Sequence, residues 1–250
     1  MKHTLAAVLA VGLMLALTGA AQAAVGDPID PAGFTADADS LYPWDGPART
    51  PIAAFNGSGL SGTNHSGGDN ISNSWFTQTG VGSEPWTAGQ RWLMVNMGAD
   101  YAIGQLQIWN YNEPGWGGPD GGDRGAKDVS IWYQTSAGTG AIPVGSGGDS
   151  QGQAFVSTGW TLLGDYTLSK ATSDPTGITD ALDPADFQAR YVLIEIHTNY
   201  ATNGNANETG IGEVRFLEGA VGDVPEPATM SLLAIGGAAA LIRRRIHAAS

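Results

Sequence analysis

The strongest constraint on the fold is a rhythm. Over much of the chain, apolar side chains recur at every second position, in short runs separated by glycine-rich turns. Val129, Ile131 and Tyr133 alternate with Asp128, Ser130 and Trp132. Val192, Ile194 and Ile196 alternate with Tyr191, Leu193, Glu195 and His197. Leu106, Ile108 and Asn110 share one face of a third run, with Gln105, Gln107 and Trp109 on the other. Arg91 to Met97 reads as a strand closed by Gly98, and Val214 with Phe216 as a last short strand. A period of two sends successive side chains to opposite faces, so each run is a strand with one face on a core. In the middle region no stretch of about 12 residues carries a helical stripe; Asp186 to Ala189 is read as a single helical turn. The chain has 37 Gly and 13 Pro in 250 residues, well above the usual share of about 12%, which supplies the turns. At 42% hydrophobic with eight Trp, it has too much apolar material to stay disordered. The expectation is an all-β, two-layer sandwich or jelly roll. Gly138 to Gly152 is read as a flexible Gly/Ser surface loop.

The two ends do not share this rhythm. Lys2 and His3 precede an apolar run from Leu5 to Leu17 and a small-x-small site at Ala21-Gln22-Ala23, so residues 1–23 read as a secretory signal peptide. At the other end, Ala228 to Ile242 is a continuous apolar segment followed by Arg243, Arg244 and Arg245. As a helix it reaches about 22 Å, short of a bilayer core of roughly 30 Å, and arginine snorkelling makes up part of the difference. The arginines place the C-terminus in the cytoplasm. Just before it stands Pro225-Glu226-Pro227, kept extended by its two prolines. This combination over residues 224–245 resembles the PEP-CTERM sorting signal. The resemblance implies a Gram-negative exporter of polysaccharide and an exosortase that cuts near Pro-Glu-Pro. It also implies an inner-membrane intermediate, then a protein at the cell surface or in the extracellular matrix.

With Lys+Arg at 11 and Asp+Glu at 24, the net charge is −13. Lys2 and the three terminal arginines belong to the two ends. All 24 acidic residues lie between Asp27 and Glu226 beside only seven basic ones, a local balance of −17. Such a surface repels nucleic acid and anionic lipid and suits neutral glycans or divalent cations. With no cysteine, disulfides, thiolate metal sites and cysteine nucleophiles are excluded. Phosphate-loop and zinc-protease motifs are absent from the sequence.

Six pieces occur in a familiar order: Phe55-Asn56-Gly57-Ser58-Gly59-Leu60 and Trp75; Trp92 to Gly98; Ile108-Trp109-Asn110-Tyr111-Asn112; Arg124 to Ile131; Ala189-Arg190-Tyr191-Val192; and Gly210 to Phe216. They resemble the discoidin, or coagulation factor 5/8 type C, family of galactose-binding-like domains over roughly residues 50–218. The resemblance implies an eight-stranded jelly roll whose loops at one end bind glycans. It implies a structural role for Trp75 and Trp92. It further implies Ca²⁺ held by Phe55, Asn56, Ser58 and Glu213, a set of hard oxygen donors. Asn56 stands where the family usually has aspartate, which removes a charge from that site. The cysteine pair of many animal members is missing, so their lipid binding is not carried over.

The organisation is then a signal peptide (1–23), a lead-in segment (24–50), the sandwich (51–218), a linker with Pro-Glu-Pro (219–227), and the membrane helix with its arginine cluster (228–245). Sugar recognition needs aromatic faces and planar polar groups on loops. The candidates are His65, Trp86, Asn112, Trp116, Arg124, Asn199 and Tyr200; Glu113 lies in the same loop as Asn112 and Trp116. Arg124 has a structural alternative as a salt bridge to Asp123 or Asp128. Trp109 and Trp132 remain open between a core and an exposed role. The expected work is noncovalent, non-catalytic binding of a polysaccharide. The alternatives are a structural matrix protein without a specific ligand, and a glycoside hydrolase using a carboxylate pair.

Overall fold

The structure is a computed structural model and describes residues 26–40, 49–66, 73–78, 91–113, 122–145, 153–173, 175–201 and 208–220. The chain divides into two units, Ala24–Ala220 and the two terminal segments. The signal peptide, Pro225-Glu226-Pro227, the apolar segment and Arg243–Arg245 lie outside the described residues.

Among the described residues ten strands follow in order: β1 (Thr35–Ala38), β2 (Leu60–Ser61), β3 (Asn64–His65), β4 (Trp75–Gln78), β5 (Trp92–Asn110), β6 (Asp128–Gln134), β7 (Thr161–Thr167), β8 (Asp180–Leu182), β9 (Phe187–Ile196) and β10 (Glu208–Glu218). One 3₁₀ turn, Pro51–Ala54, precedes β2, and no α-helix occurs among the described residues. Asp186–Ala189 is therefore not a helical turn. Phe187 and Ala189 pair with Ile103 and Tyr101 and point into the core, so tertiary pairing decides a stretch whose local pattern is ambiguous.

The architecture hinges on β5. Gly98 does not end this strand but bends it: its φ of 83° is left-handed, and the pairing register shifts between Asn96 and Tyr101. The first arm, from Trp92, pairs with β1 and β9. The second arm, to Asn110, pairs with β10 and β8. The layers are thus β1-β5-β9-β6-β7 and β8-β5-β10-β4, sharing one bent strand. Their inner faces meet in a single buried cluster. Leu93, Val95 and Met97 come from the first arm, Ile103, Leu106 and Ile108 from the second, Val129 and Ile131 from β6, Val192, Ile194 and Ile196 from β9, and Ile211, Val214 and Phe216 from β10. The period-two reading of these runs is the one the fold uses. The fold is an all-β sandwich.

The lead-in segment belongs to the sandwich. β1 lies on β5, and residues 26–29 run along the end of β10, with Gly26 N donating to Glu218 O at 2.8 Å and Ile29 N to Phe216 O at 2.9 Å.

The outer face of the first layer is covered as well. Trp92, Met94 and Leu193, on the other side of their strands from the main core, pack with Phe155 and Trp160, and Trp132 and Tyr191 lie against them half-buried. Trp92 Nε1 donates to Gln153 O (2.9 Å) and Trp160 Nε1 to Ala141 O (3.1 Å). The insertion expected as a loose loop is thus folded back over the sheet where it is described. Its glycines serve close approach rather than flexibility: a Cβ at Gly140 would meet the Trp160 ring at 2.4 Å. Gly140→Ala is expected to cost about 1–3 kcal/mol by overpacking, read as a lower chemical-denaturation midpoint with a changed tryptophan emission. Trp109, left open above, is fully buried and donates from Nε1 to Thr63 O at 2.9 Å. Trp75 is fully buried like Trp92.

Candidate functional site

β5, β7 and β9 end, and β6 and β10 begin, at one pole of the sandwich, and the chain joining them there carries most of the candidate residues. Two bridges lace these segments together, Gly125 with Gly210 and Ala126 with Asn199. Asn110, the polar member of an otherwise apolar face, supports them: buried, it donates from Nδ2 to Ala126 O (2.6 Å) and Ser169 O (2.9 Å).

A buried charge lattice sits at this pole. Glu113 is its centre: Oε1 accepts from Arg49 Nη2 at 2.8 Å, and Oε2 accepts from Arg124 Nη1 at 3.0 Å and from Tyr111 Oη at 2.8 Å. Arg124 Nε lies 2.6 Å from Glu208 Oε2, close as an ion pair but outside hydrogen-bond alignment. Both guanidiniums stand near the Phe76 ring, at 4.9 Å (Arg49) and 5.4 Å (Arg124) from its centroid, and Tyr111 stacks on that ring at 4.8 Å. Two cations and two carboxylates balance in a dry setting, which makes the geometry of Arg124 rigid. Burial drives the Tyr111 hydroxyl well above its usual range, against the pull of Arg49. It also raises Glu208, opposed by Arg124. Of the two partners read for Arg124 from the sequence, Asp123 pairs instead with Lys170 (2.6 Å), and Asp128 accepts from Thr167 and Thr198.

Four of the candidates come together here. Arg124 pairs with Glu208. Asn199 donates from Nδ2 to the backbone carbonyl of that same Glu208 and accepts at Oδ1 from Ala201 N. Asn112 follows Tyr111, donates to Ser173 O and keeps a buried Oδ1 without a hydrogen-bond partner. Tyr200 donates to Leu168 O, with the Lys127 ammonium 5.8 Å from its ring centroid. His65 is not among them: it is buried on β3, its Nε2 is 2.8 Å from Asn73 O, and its backbone bridges to Thr176. Trp86 and Trp116 lie outside the described residues. Sequence reasoning passed over Arg49, Tyr111, Phe76 and Glu208. Scarcity was the available signal: with seven basic residues outside the terminal segments, a buried anion has few partners to choose from.

The four residues expected at a metal gather elsewhere, beside β10. Phe55 stacks on Phe216 (6.2 Å, 8° between planes). Exposed Asn56 accepts at Oδ1 from Ser58 N (2.8 Å), and Gly57 N donates to Glu213 Oε1 (2.9 Å). Burial pushes the Glu213 carboxyl up to about 8, against the Gly57 hydrogen bond and Arg215, and its Oε2 is buried with no hydrogen-bond partner. A cavity of about 180 Å³ adjoins, lined by Phe34, Phe55, Gly57, Glu213 and Phe216. An orphaned carboxyl oxygen fits a hard cation. Among the described residues no three His, Asp or Glu side chains cluster, so most ligands of such a cation would be carbonyls.

Comparison with known proteins adds one assignment outside the sandwich. Residues 223–245 match the model of the PEP-CTERM protein-sorting motif. The chain carries this signal. The PEP-CTERM match agrees with the reading of Pro225, Glu226, Pro227 and Arg243–Arg245 made from the sequence. No curated protein sequence matches the chain. Solved structures similar to this chain include the F5/8 type C domain of a Bacteroides fragilis protein, at 12% identity and a TM-score of 0.46, covering 80% of this chain and 100% of that one. Another is the family 32 carbohydrate-binding module of NanJ from C. perfringens in complex with galactose (16%, 0.44, 78% and 100%). A third is the family 32 module of AlyQ in complex with 4,5-unsaturated mannuronic acid (16%, 0.41, 78% and 98%). At these identities and scores no ligand passes to this chain, and the site stands on its own geometry.

Proposed function

We propose that this is an exported surface or matrix protein, processed by an exosortase at its PEP-CTERM signal in a Gram-negative cell, whose sandwich binds carbohydrate without catalysis. The observation that carries the binding reading is the convergence of Asn112, Arg124, Asn199 and Tyr200 at one pole, held by the Glu113 lattice. Asn112, Arg124 and Asn199 are buried and form a rigid polar floor that holds the loops, with the half-exposed Tyr200 ring beside it; a pre-set floor lowers the entropy lost on binding. Trp86 and Trp116 remain part of the proposal as aromatic faces. Both oxygens of Glu113 serve arginines, so this carboxylate works as part of the lattice.

Ca²⁺ is proposed at Glu213. There the residues would hold it through Glu213 Oε2 and the carbonyls of Phe55, Asn56 and Ser58. When bound it would supply charge that keeps Glu213 ionised and ties the 55–58 turn to β10.

The full chain on a glycan array is expected to show saturable binding to at least one sugar, reduced at least tenfold by Arg124→Lys, which keeps the charge but loses the fork. Silence across every sugar would leave the structural-matrix reading. Mass spectrometry of the exported protein is expected to find Arg243–Arg245 removed.

A further inference from the structure

Beside the proposed sugar site, a polar groove of about 470 Å³ opens on the outer face of β6, β7 and β9, lined by Asp128, Ser130, Asp165, Tyr166, Thr167 and His197. We propose that this groove is an extension of the carbohydrate site that takes up further rings of a neutral polysaccharide chain. The inference rests on the binding reading above and adds that the ligand is a chain rather than a single terminal sugar.

Continuity is the first argument. The rungs that seat Tyr200 also form the upper edge of the groove: Tyr200 donates to Leu168 O, Leu168 N to Lys127 O (2.8 Å), and Lys127 N to Thr198 O (2.8 Å). From Lys127 to Ser130 the groove then follows β6 for about 10 Å. A chain leaving Tyr200 along the sheet would enter it.

Chemistry is the second. Asp165 and Thr167 are exposed, and Asp128 and His197 half-exposed, so carboxylate, hydroxyl and imidazole line one wall. Their positions are set in advance. Ser130 Oγ donates to Asp165 Oδ1 (2.6 Å) and lies 2.8 Å from His197 Nε2, while Asp128 accepts from Thr167 Oγ1 (2.8 Å) and Thr198 Oγ1 (2.6 Å). Locked donors and acceptors bind a flexible polyol at lower entropic cost.

The same bonds set aside other occupants. The single hydroxyl proton of Ser130 goes to Asp165, so His197 does not act as its base, and a serine nucleophile is not assembled. Both oxygens of Asp128 are occupied by hydroxyls, and no cluster of three metal-ligating side chains exists among the described residues, which disfavours a cation. Two aspartates on the wall disfavour a uronate or phosphate polymer.

Calorimetric titration of the full chain in detergent tests this, using β-1,4-linked galactose, glucose and mannose ladders of one to six units and a uronate ladder. In one neutral ladder the affinity is expected to rise at least tenfold between monomer and tetramer. Asp165→Asn and His197→Ala should erase that gain and leave monomer affinity unchanged; both sit on the surface, and near-UV dichroism checks their fold. Length-independent affinity, a gain that survives both variants, or preference for the uronate ladder would overturn the extension while leaving the polar end as a sugar site. Absence of binding to every ladder would overturn both.

Discussion

In a chelator, raising the solution from about pH 5 to about pH 9 is expected to strip roughly 4 kcal/mol from the stability of the sandwich through Glu213 alone. The folded carboxyl ionises near 8 instead of 4.5. A raised acid pKa means the folded state holds its proton more tightly than the unfolded chain. The associated stability is therefore complete below the unfolded value and is lost as pH climbs through the folded one. Asp39 acts in the same direction: burial lifts it to about 7 despite Arg91, so its loss adds to the fall over the lower half of the window. Glu213→Gln keeps an oxygen for the Gly57 N–H and removes the ionisation, which isolates one contribution from the other. Urea titrations at each pH are expected to show the variant overtaking the parent in stability above neutrality. A flat difference between parent and variant across this range would refute the assignment. Millimolar Ca²⁺ at about pH 8 is expected to restore stability to the parent and not to Glu213→Gln, by about 2.7 kcal/mol at a hundredfold excess over Kd.

The second large effect belongs to Glu113. Glu113→Ala removes the acceptor shared by Arg49, Arg124 and Tyr111 and leaves two guanidiniums buried around Phe76 with Glu208 as the remaining carboxylate of the lattice. Breaking a buried pair from one side costs about 3–5 kcal/mol because the orphaned charge stays dry. Glu113→Gln should cost less, since the amide oxygen still accepts. Thermal unfolding ranks the pair, and a loss under about 1 kcal/mol for the alanine variant would mean that water reaches the arginines. Any sugar binding is expected to fall in both variants, because Arg124 loses the anchor that aims it.

Most of the strand interior was legible in the sequence, and for one reason. Val129, Ile131, Val192, Ile194, Ile196, Leu106 and Ile108 recur at every second position, and a core on one face of a sheet demands that pattern. Three features were not legible. Gly98 is as consistent with a stop as with a bend, and only the pairing of both arms of β5 tells them apart. The Gly/Ser stretch after Gly138 has a linker's composition, yet its glycines let backbone approach Trp160, which composition does not reveal. Asn112, Arg124, Asn199 and Tyr200, singled out as loop amides, an arginine and an aromatic, lie at the pole that holds the charge lattice. Arg49 and Glu208 were missed because their importance is mutual: neither is notable until a fold brings the other side of the charge. His65 lies apart from them, buried on β3 with Nε2 at 2.8 Å from Asn73 O.

The position of β10 has a consequence for how the molecule comes into being. Although β10 is the last strand among the described residues, it lies between β4 and β5 and brings Ile211, Val214 and Phe216 to the core, Glu208 to the charge lattice and Glu213 to its pocket. A polypeptide that appears N-terminus first, at the ribosome or on the far side of a membrane, must wait with its hydrophobic half-core exposed until residue 218 has arrived. Assembly is therefore a clasp that shuts at the end. A chain cut short before β10 would lack the core, the polar end and the carboxyl pocket together, so each of these properties also reports that the whole domain was delivered.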